Sequence, residues 1–325
     1  MDIDLLQKAV LLACRAPSVH NSQPWRWVVE PGPTDITIRL FVDRHRMVPA
    51  TDRSGRQTLI SCGAVLDHFR IAMAAARWQA NIARFPVPNE PDQLAVVDFE
   101  PADHLTRAER DRAHAILHRR TDRLPFDRPR NWQLFAPSLV STFDDGALNI
   151  DVLSDEQRPL LAEASRVSEA LRREDASYCA EIQWWTSPFT LDEGVPASAL
   201  ASDTERLRVD VRREFPVRGH QNRRAEVTAD QSKILVLSTP EDTAADVLRC
   251  GEALSTVLLD CTTAGMATCT LTHLIESDDG RDILRGLIGH RGEPQVLLRV
   301  GTSPAMEHLP PPTPRRPLAD VVEIR

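Results

Sequence analysis

A run of ten residues near the N-terminus includes polar groups of the kind that bind the edge of a planar heterocycle. The run from Ala16 to Trp25 reads Ala-Pro-Ser-Val-His-Asn-Ser-Gln-Pro-Trp, and it lies where a helical pattern gives way to a strand pattern. Its two prolines restrict the backbone, while a hydroxyl and two amides are available as hydrogen-bonding groups. A turn capped by its own side chains is the alternative interpretation.

A second run has the composition of a phosphate-binding segment. Residues His118 to Arg123 read His-Arg-Arg-Thr-Asp-Arg, which places three arginines and a hydroxyl within five residues. Arginine neutralises a phosphate dianion and hydrogen-bonds it, and each charge-assisted bond is about twice as strong as a neutral one. A solvated charged turn would have the same composition.

A third run lies near the C-terminus, where Pro310 to Leu318 reads Pro-Pro-Pro-Thr-Pro-Arg-Arg-Pro-Leu. Its prolines favour a stiff, polyproline-like segment that could direct Arg315 or Arg316 into a site at little cost in ordering. The alternative is a proline-rich tail that only wraps the surface.

The hydrophobic periodicity predicts a chain of mixed helices and strands that positions these runs. Helices are predicted at residues 4–14, 56–78, 105–117 and 155–180, with a further long helix through 250–261. Strands are predicted at residues 25–30, 36–40, 94–99, 148–153, 234–238 and 296–300.

Two of the predicted helices have related apolar seams. Residues 62–66 read Cys-Gly-Ala-Val-Leu, and residues 250–254 read Cys-Gly-Glu-Ala-Leu. A glycine in each helix would let the two axes approach closely, so we expect the helices to pack on each other. Chance similarity between two amphipathic helices would explain so short a sequence match equally well.

Composition excludes several classes of function. The formal net charge of −8 and the pI near 5.7 disfavour a nucleic acid or an acidic membrane as partner. No window contains 18 uncharged apolar residues, and the first residues lack the features of a signal peptide. The six cysteines have no CxxC spacing and the ten histidines no metal-ligand spacing, so we expect buried thiols, no metal and a cytoplasmic location.

Taken together, the three runs resemble the nitroreductase family of flavoproteins. In that family a Pro-Ser-x-x-Asn-x-Gln-Pro-Trp segment, an Arg-x-Ser/Thr-x-Arg/Lys segment and a late Arg-x-Pro-Leu segment converge on FMN, and all three occur here. The first is the most specific. The Arg-Arg-Thr-x-Arg and Thr-Pro-Arg-Arg sequences are most similar to the Acg branch of mycobacterial nitroreductase-like proteins. The resemblance implies an α+β nitroreductase fold.

The order of the motifs departs from the family, in which the arginine-hydroxyl segment usually comes first. Each flavin of the homodimeric family takes its phosphate ligands from one subunit and its Pro-Ser-x-x-Asn contacts from the other. The inverted order therefore implies an intrachain pseudo-dimer, a monomer with one flavin between two fused halves and the long helices at its centre. Residues 1–110 would supply the ring contacts and residues 111–325 the phosphate ligands.

The resemblance also implies a role for individual residues. Arg119, Thr121 and Arg315 would hold the phosphate, with Arg315 preferred to Arg316. Arg123 would lie by the N1 and C2 carbonyl edge of the flavin, where a positive charge raises the reduction potential. The remaining predicted contacts to the ring system and ribityl chain are Pro17, Ser18, Asn21 and Gln23, together with Leu271 and Thr272 near flavin N5. The family's frequent glutamate in that last segment is a threonine here.

Three functions stay open on the sequence. Residues 184–229 have no sustained apolar face, so we expect a lid, and a lid over FMN would leave little NAD(P)H turnover. The alternative is an active NAD(P)H-dependent oxidoreductase that reduces nitroaromatics or quinones at the flavin, with no catalytic side chain required. A flavin-free protein that binds another phosphorylated ligand is the second alternative.

Overall fold

Helices and strands alternate in both halves of the chain in the computed structural model, which describes residues 1–32, 36–143, 146–189, 192–216, 222–304 and 310–325. The helices are α1 (Ile3–Ala13), α2 (Arg56–Ala75), α3 (Arg107–His118), α4 (Trp132–Ser141), α5 (Arg158–Arg173), α6 (Ala176–Trp185), α7 (Asp203–Arg206), α8 (Ala244–Thr263), α9 (Asp278–Leu287) and α10 (Leu318–Val321). The strands are β1 (Trp25–Pro31), β2 (Ile36–Val42), β3 (Trp78–Arg84), β4 (Gln93–Pro101), β5 (Asn149–Val152), β6 (Lys233–Thr239), β7 (Ala267–Leu271), β8 (Glu293–Gly301) and β9 (Val322–Ile324).

Each half of the chain supplies most of the strands of one sheet. The first sheet has the order β3-β4-β2-β1-β9, in which β9 pairs parallel with β1 and the other pairs are antiparallel. The second sheet, β5-β6-β8-β7, is antiparallel throughout. Two sheets with helices packed between them confirm the predicted α+β architecture of two fused halves.

Helices α2 and α8 pack against each other at the centre, as the related seams predict. A Cβ atom added at Gly63 would lie 2.9 Å from the Cα of Gly251 and would collide with the carbonyl oxygen of Leu248. One at Gly251 would collide with the carbonyl oxygen of Ile60. The two backbones are therefore in direct contact, and only glycine allows this separation of the axes.

The C-terminal segment crosses from the second half to the first. Strand β9 pairs with β1, and Val321 is buried in the core formed by α1, α2 and the first sheet. The sequence division at residue 110 stays a prediction, but residues 322–324 join the sheet of the first half. As a result, the proline-arginine run, residues 310–318, passes the C-terminal end of α1.

Several elements differ from the sequence prediction. The helix predicted over residues 155–180 is wrong as a single element, because Asp175 adopts an extended conformation and caps α6 through the N–H groups of Ser177 and Tyr178. The helix predicted to reach Trp78 ends at Ala75, since Arg77 has a φ of 62° and turns the chain into β3. The periodicity gave no prediction for the elements β3, α4, β7, α9 and β9.

The most apolar helix belongs to the protein core. Among the described helices, α2 alone has the length and mean hydropathy, 1.2, that a membrane span requires, and 78% of its most apolar window is buried inside the protein. The cysteine thiols are free, and all except Cys179 are buried as predicted. Burial raises the pKa of the Cys14 thiol to about 11.

Candidate functional site

Two adjoining cavities form a cleft between the halves. The larger cavity has a volume of about 1070 Å³ and the smaller one about 500 Å³, and both volumes include space open to solvent. We call the smaller one the arginine cavity. The residues that line both are Pro17 and Ser18 from the first half and Thr121 and Arg123 from the second. The shared wall makes the two cavities parts of one elongated site.

The arginine cavity has the electrostatics of an anion site. Asn21 and Arg119 both line it, so the first and second runs can touch one small molecule. No aspartate or glutamate lies among its described lining residues. Its positively charged residues are Arg15, Arg119, Arg120, Arg123 and Arg315.

Arg119 is buried without a negative partner. Its side chain makes one hydrogen bond, from Nη2 to the carbonyl oxygen of Arg15 at 3.2 Å, while Nε and Nη1 have no partner among the described residues. Burial, and then the charge of Arg15, lower the pKa of Arg119 to about 10. Burial, then Arg119 and Arg15, lower the pKa of Arg315 to about 9. An anion bound among these groups would relieve this repulsion.

The Pro-Ser-x-x-Asn turn is held in an unusual backbone conformation. His20, Asn21 and Gln23 have φ values of 49°, 58° and 53°, in the left-handed region that non-glycine residues rarely adopt. Such backbone strain persists where the surroundings fix it, most often at functional sites. The amide of Asn21 donates to the carbonyl oxygens of Gly194 and Pro314, at 3.0 and 3.1 Å, and so joins the turn to two other segments.

Gln23 and Arg316 lie outside both cavities. The Gln23 side chain donates to the carbonyl oxygen of Asp192 at 2.9 Å and accepts from the backbone N–H of Arg316 at 2.9 Å. Gln23 therefore stabilises the turn without facing a cavity. Of the two late arginines, Arg315 lines the arginine cavity and Arg316 lines neither cavity.

The larger cavity combines an aromatic ring with neutral and cationic groups. Phe215 lies under the guanidinium of Arg123, 5.0 Å from its Cζ, and edge-on to the His20 ring at 6.0 Å. Burial, and then the charges of Arg213 and Arg123, hold the pKa of His20 well below its usual range, so the imidazole is neutral. A neutral imidazole at this position can hydrogen-bond but cannot act as an acid near neutral pH.

The remaining predicted residues lie at or beside strand β7. Thr121 forms a bridge with Thr268, which ties the arginine-hydroxyl run to the start of this strand. Leu271 and Thr272, at and after its end, line the larger cavity. The Thr272 hydroxyl donates to Gln57 on α2 at 2.6 Å, so this wall is also a contact between the halves.

The predicted lid, residues 184–229, is described by the structure over 184–189, 192–216 and 222–229, and residues between 194 and 215 line the two cavities. Five ion pairs join its described residues to the rest of the chain, and they are Arg46–Glu193, Arg158–Asp210, Arg173–Glu214, Arg213–Glu276 and Arg224–Asp122. The lid residues that line the cavities are Gly194, Val195, Pro196, Ala199, Ala201, Arg206, Arg212, Arg213, Glu214 and Phe215. These described residues thus form a packed wall of the site, and their segment is attached to both halves.

One buried acid beneath the lid makes stability depend on pH. Burial raises the pKa of Glu169 on α5 to about 7 from 4.5, and its Oε1 has no partner among the described residues. The folded chain therefore holds this proton more tightly than the unfolded chain does. Its favourable contribution is complete below pH 4.5 and is lost as the pH rises to about 7.

We expect Glu169→Gln to be more stable than the parent at about pH 8, by up to about 3 kcal/mol, and similar near pH 4. Urea unfolding at the two pH values measures the difference. Glu163→Gln, on an exposed side chain of the same helix, is the control and should show no gain at the higher pH. Equal stability of Glu169→Gln and the parent at the higher pH would contradict the assignment.

The structure brings most of the sequence-predicted site residues to the cleft. The ones that line it are Pro17, Ser18, Asn21, Arg119, Thr121, Arg123, Leu271, Thr272 and Arg315. Sequence reasoning missed Arg15, His20 and Phe215. His20 lies inside the first run, and Arg15 immediately precedes that run, so position in the sequence was a usable signal for both. Phe215 had no such signal, because the surrounding sequence does not indicate which residue of the predicted lid faces the cavity.

The comparisons with known proteins give the class of protein. No protein-family model matches the chain. A structure described as a putative nitroreductase from Anabaena variabilis aligns with a TM-score of 0.52 at 9% identity, over 92% of this chain and 88% of that one, which shows the fold. Two Mycobacterium tuberculosis relatives are more similar in sequence. One, called uncharacterized protein Rv3127, is 66% identical over 99% of this chain and 93% of its own length.

The other relative, called putative NAD(P)H nitroreductase acg, is 54% identical over 99% of this chain and 96% of its own length. The chain therefore belongs to the nitroreductase family, in its mycobacterial Acg branch. This confirms the family resemblance that the three sequence runs indicate.

Proposed function

We propose that this protein binds one FMN in the cleft between its halves, with the lid restricting access and little turnover with NAD(P)H. The observation that carries the proposal is the arginine cavity, where Arg119 is buried with unpartnered N–H groups and where no described carboxylate lines the wall. A phosphate group supplies the missing negative charge and the missing acceptors. The adjoining larger cavity provides the space that a planar ring system needs.

The predicted residues fit the parts of the cofactor. Arg119, Thr121 and Arg315 would lie at the phosphate end, and Pro17, Ser18 and Asn21 between the two ends, with Gln23 holding their turn. Arg123 lines both cavities, consistent with a place beside the ring edge. Leu271 and Thr272 would border the ring system. Bound FMN would supply electron transfer between a nicotinamide and an aromatic or quinone acceptor.

Restricted turnover is supported by the way the lid is attached. Arg213 donates to the hydroxyls of Tyr178 and Thr272, at 2.8 and 3.0 Å, in addition to its ion pair with Glu276. Phe215 follows two residues later and lines the larger cavity. Opening the lid would break these contacts and move Arg213 away from a carboxylate that stays buried, so closure is favoured.

An active NAD(P)H-dependent oxidoreductase is the second candidate, and it is favoured by the names of relatives. Besides acg, a relative 34% identical over 99% of this chain is called putative NAD(P)H nitroreductase Rv3131. The two candidates share the flavin and differ in whether a nicotinamide reaches it.

Stopped-flow mixing of the yellow protein with NADPH separates the candidates. We expect the flavin band of the parent to stay unbleached over seconds, and Phe215→Ala to bleach faster because it removes a ring from the cavity wall. Leu207→Ala, at a lid residue that is 73% exposed and lines neither cavity, should behave like the parent. Rapid bleaching of the parent would contradict occlusion and favour the oxidoreductase, and a colourless protein that takes up no added FMN would contradict both.

A further inference from the structure

The guanidinium groups of the arginine cavity are not equivalent as donors. An arginine has five N–H groups. In Arg315 every nitrogen already donates to the main chain, at 2.8–3.3 Å, and the five accepting carbonyl oxygens belong to Cys14, Arg15, Ala16, Thr313 and Pro314. Arg315 therefore contributes charge to the cavity but has no N–H group to spare for a ligand.

The carbonyl groups that Arg315 contacts explain what it does. Cys14, Arg15 and Ala16 follow the last turn of α1, where carbonyl oxygens lack helical partners and carry partial negative charge. The other two acceptors lie on the proline-rich segment itself. Arg315 thus fastens the C-terminal segment, residues 310–325, to the end of α1.

Arg15 and Arg119 have the opposite character. Arg119 keeps Nε and Nη1 unpartnered, and Arg15 has a buried, unpartnered Nε and no ion pair among the described residues. Both side chains line the arginine cavity. Burial, and then the charge of Arg120, lower the pKa of Arg15, as expected for a cation without a counter-ion. The Arg15 carbonyl accepts from Arg119 and Arg315, which holds the three residues together.

We propose that Arg15 and Arg119 donate directly to a bound phosphate group, and that Arg315 is a positioning residue that fixes the segment beside them. The inference rests on the proposed function, since FMN is the expected source of the phosphate. It assigns to Arg15 a binding role that the motif comparison does not give it, and it changes the role of Arg315 from ligand to support.

The ratio of FMN affinity to riboflavin affinity tests the assignment, because the two molecules differ only in the phosphate. We expect Arg15→Gln to reduce this ratio about tenfold or more, as loss of a charge-assisted bond requires. Arg15→Lys should reduce the ratio less than Arg15→Gln does, because lysine keeps the positive charge but lacks the paired N–H groups of arginine. Arg110→Gln, on the exposed face of α3, is the matched control and should leave it unchanged.

Arg315→Gln should lower the ratio of FMN to riboflavin affinity less than Arg15→Gln does, because it removes a charge but no hydrogen bond to the phosphate, and it should increase hydrogen exchange in residues 310–325. An unchanged ratio in Arg15→Gln would overturn the proposal. The proposal would also be overturned if Arg315→Gln lowered the ratio of FMN to riboflavin affinity as much as Arg15→Gln while residues 310–325 stayed protected from hydrogen exchange. Inorganic phosphate, titrated by calorimetry without flavin, keeps the test independent of the proposed function: weaker phosphate binding in Arg15→Gln than in the parent supports the assignment, and no phosphate binding by the parent contradicts it.

Discussion

Replacement of Arg119 by alanine is expected to weaken FMN binding and, at the same time, to stabilise the flavin-free protein. Each lost charge-assisted hydrogen bond costs about 1.5–3 kcal/mol, or roughly ten- to 150-fold in affinity. Without FMN, the same substitution removes a buried cation that repels Arg15 and Arg315. A binding residue of this kind is retained at the expense of stability.

Equilibrium titration with FMN and urea unfolding of the flavin-free protein measure the two effects. Arg224→Ala is a useful contrast, because Arg224 is fully buried but paired with Asp122, so its loss should lower stability. Arg110→Ala should change neither quantity. An Arg119→Ala protein with parental affinity for FMN, or with reduced stability in the absence of flavin, would show that Arg119 is a structural arginine.

Gly63→Ala is expected to be among the most destabilising single methyl additions in the chain. The added Cβ would meet the backbone of α8 at Leu248 and Gly251, and neither can rotate away as a side chain could. Overpacking of a core costs about 1–3 kcal/mol and more where the backbone must move. Because α2 and α8 connect the two halves, the displacement would also widen the cleft and lower flavin affinity.

Gly286→Ala on α9 is the matched control, since a Cβ there would have no heavy atom within 4 Å. That substitution should be neutral or stabilising by about 0.5–1 kcal/mol, the usual gain for alanine over glycine in a helix. Thermal unfolding of both variants provides the comparison. A Gly63→Ala protein as stable as Gly286→Ala would show that α2 and α8 can separate without cost.

The parts of the fold that could be predicted from the sequence are those with a local pattern. The seams of α2 and α8 repeat at helical spacing, and the three runs carry their polar groups within a few residues of one another. Strand β9 spans three residues, Val322–Ile324, and its pairing depends on β1 nearly three hundred residues away. Helix α4 contains Pro137, which weakens the helical pattern.

The donor roles of the arginines could not be predicted, for a related reason. Whether Arg315 has free N–H groups depends on carbonyl oxygens at the end of α1, which reach it only through the tertiary fold. The same holds for the attachments of the predicted lid. Its anchors, such as the ion pair of Arg224 with Asp122, join segments with no common sequence pattern. Composition therefore indicated an anion site, while the division of roles within it required the structure.

The central proposal is one cofactor held by both halves of a single chain. Titration of flavin-free protein with FMN, followed by flavin absorbance during sedimentation, measures how many flavins bind and to what assembly. We predict one FMN per chain on a monomeric species. Half a flavin per chain, two flavins per chain, or binding that occurs only on a dimer would contradict a site built between the two halves of one polypeptide.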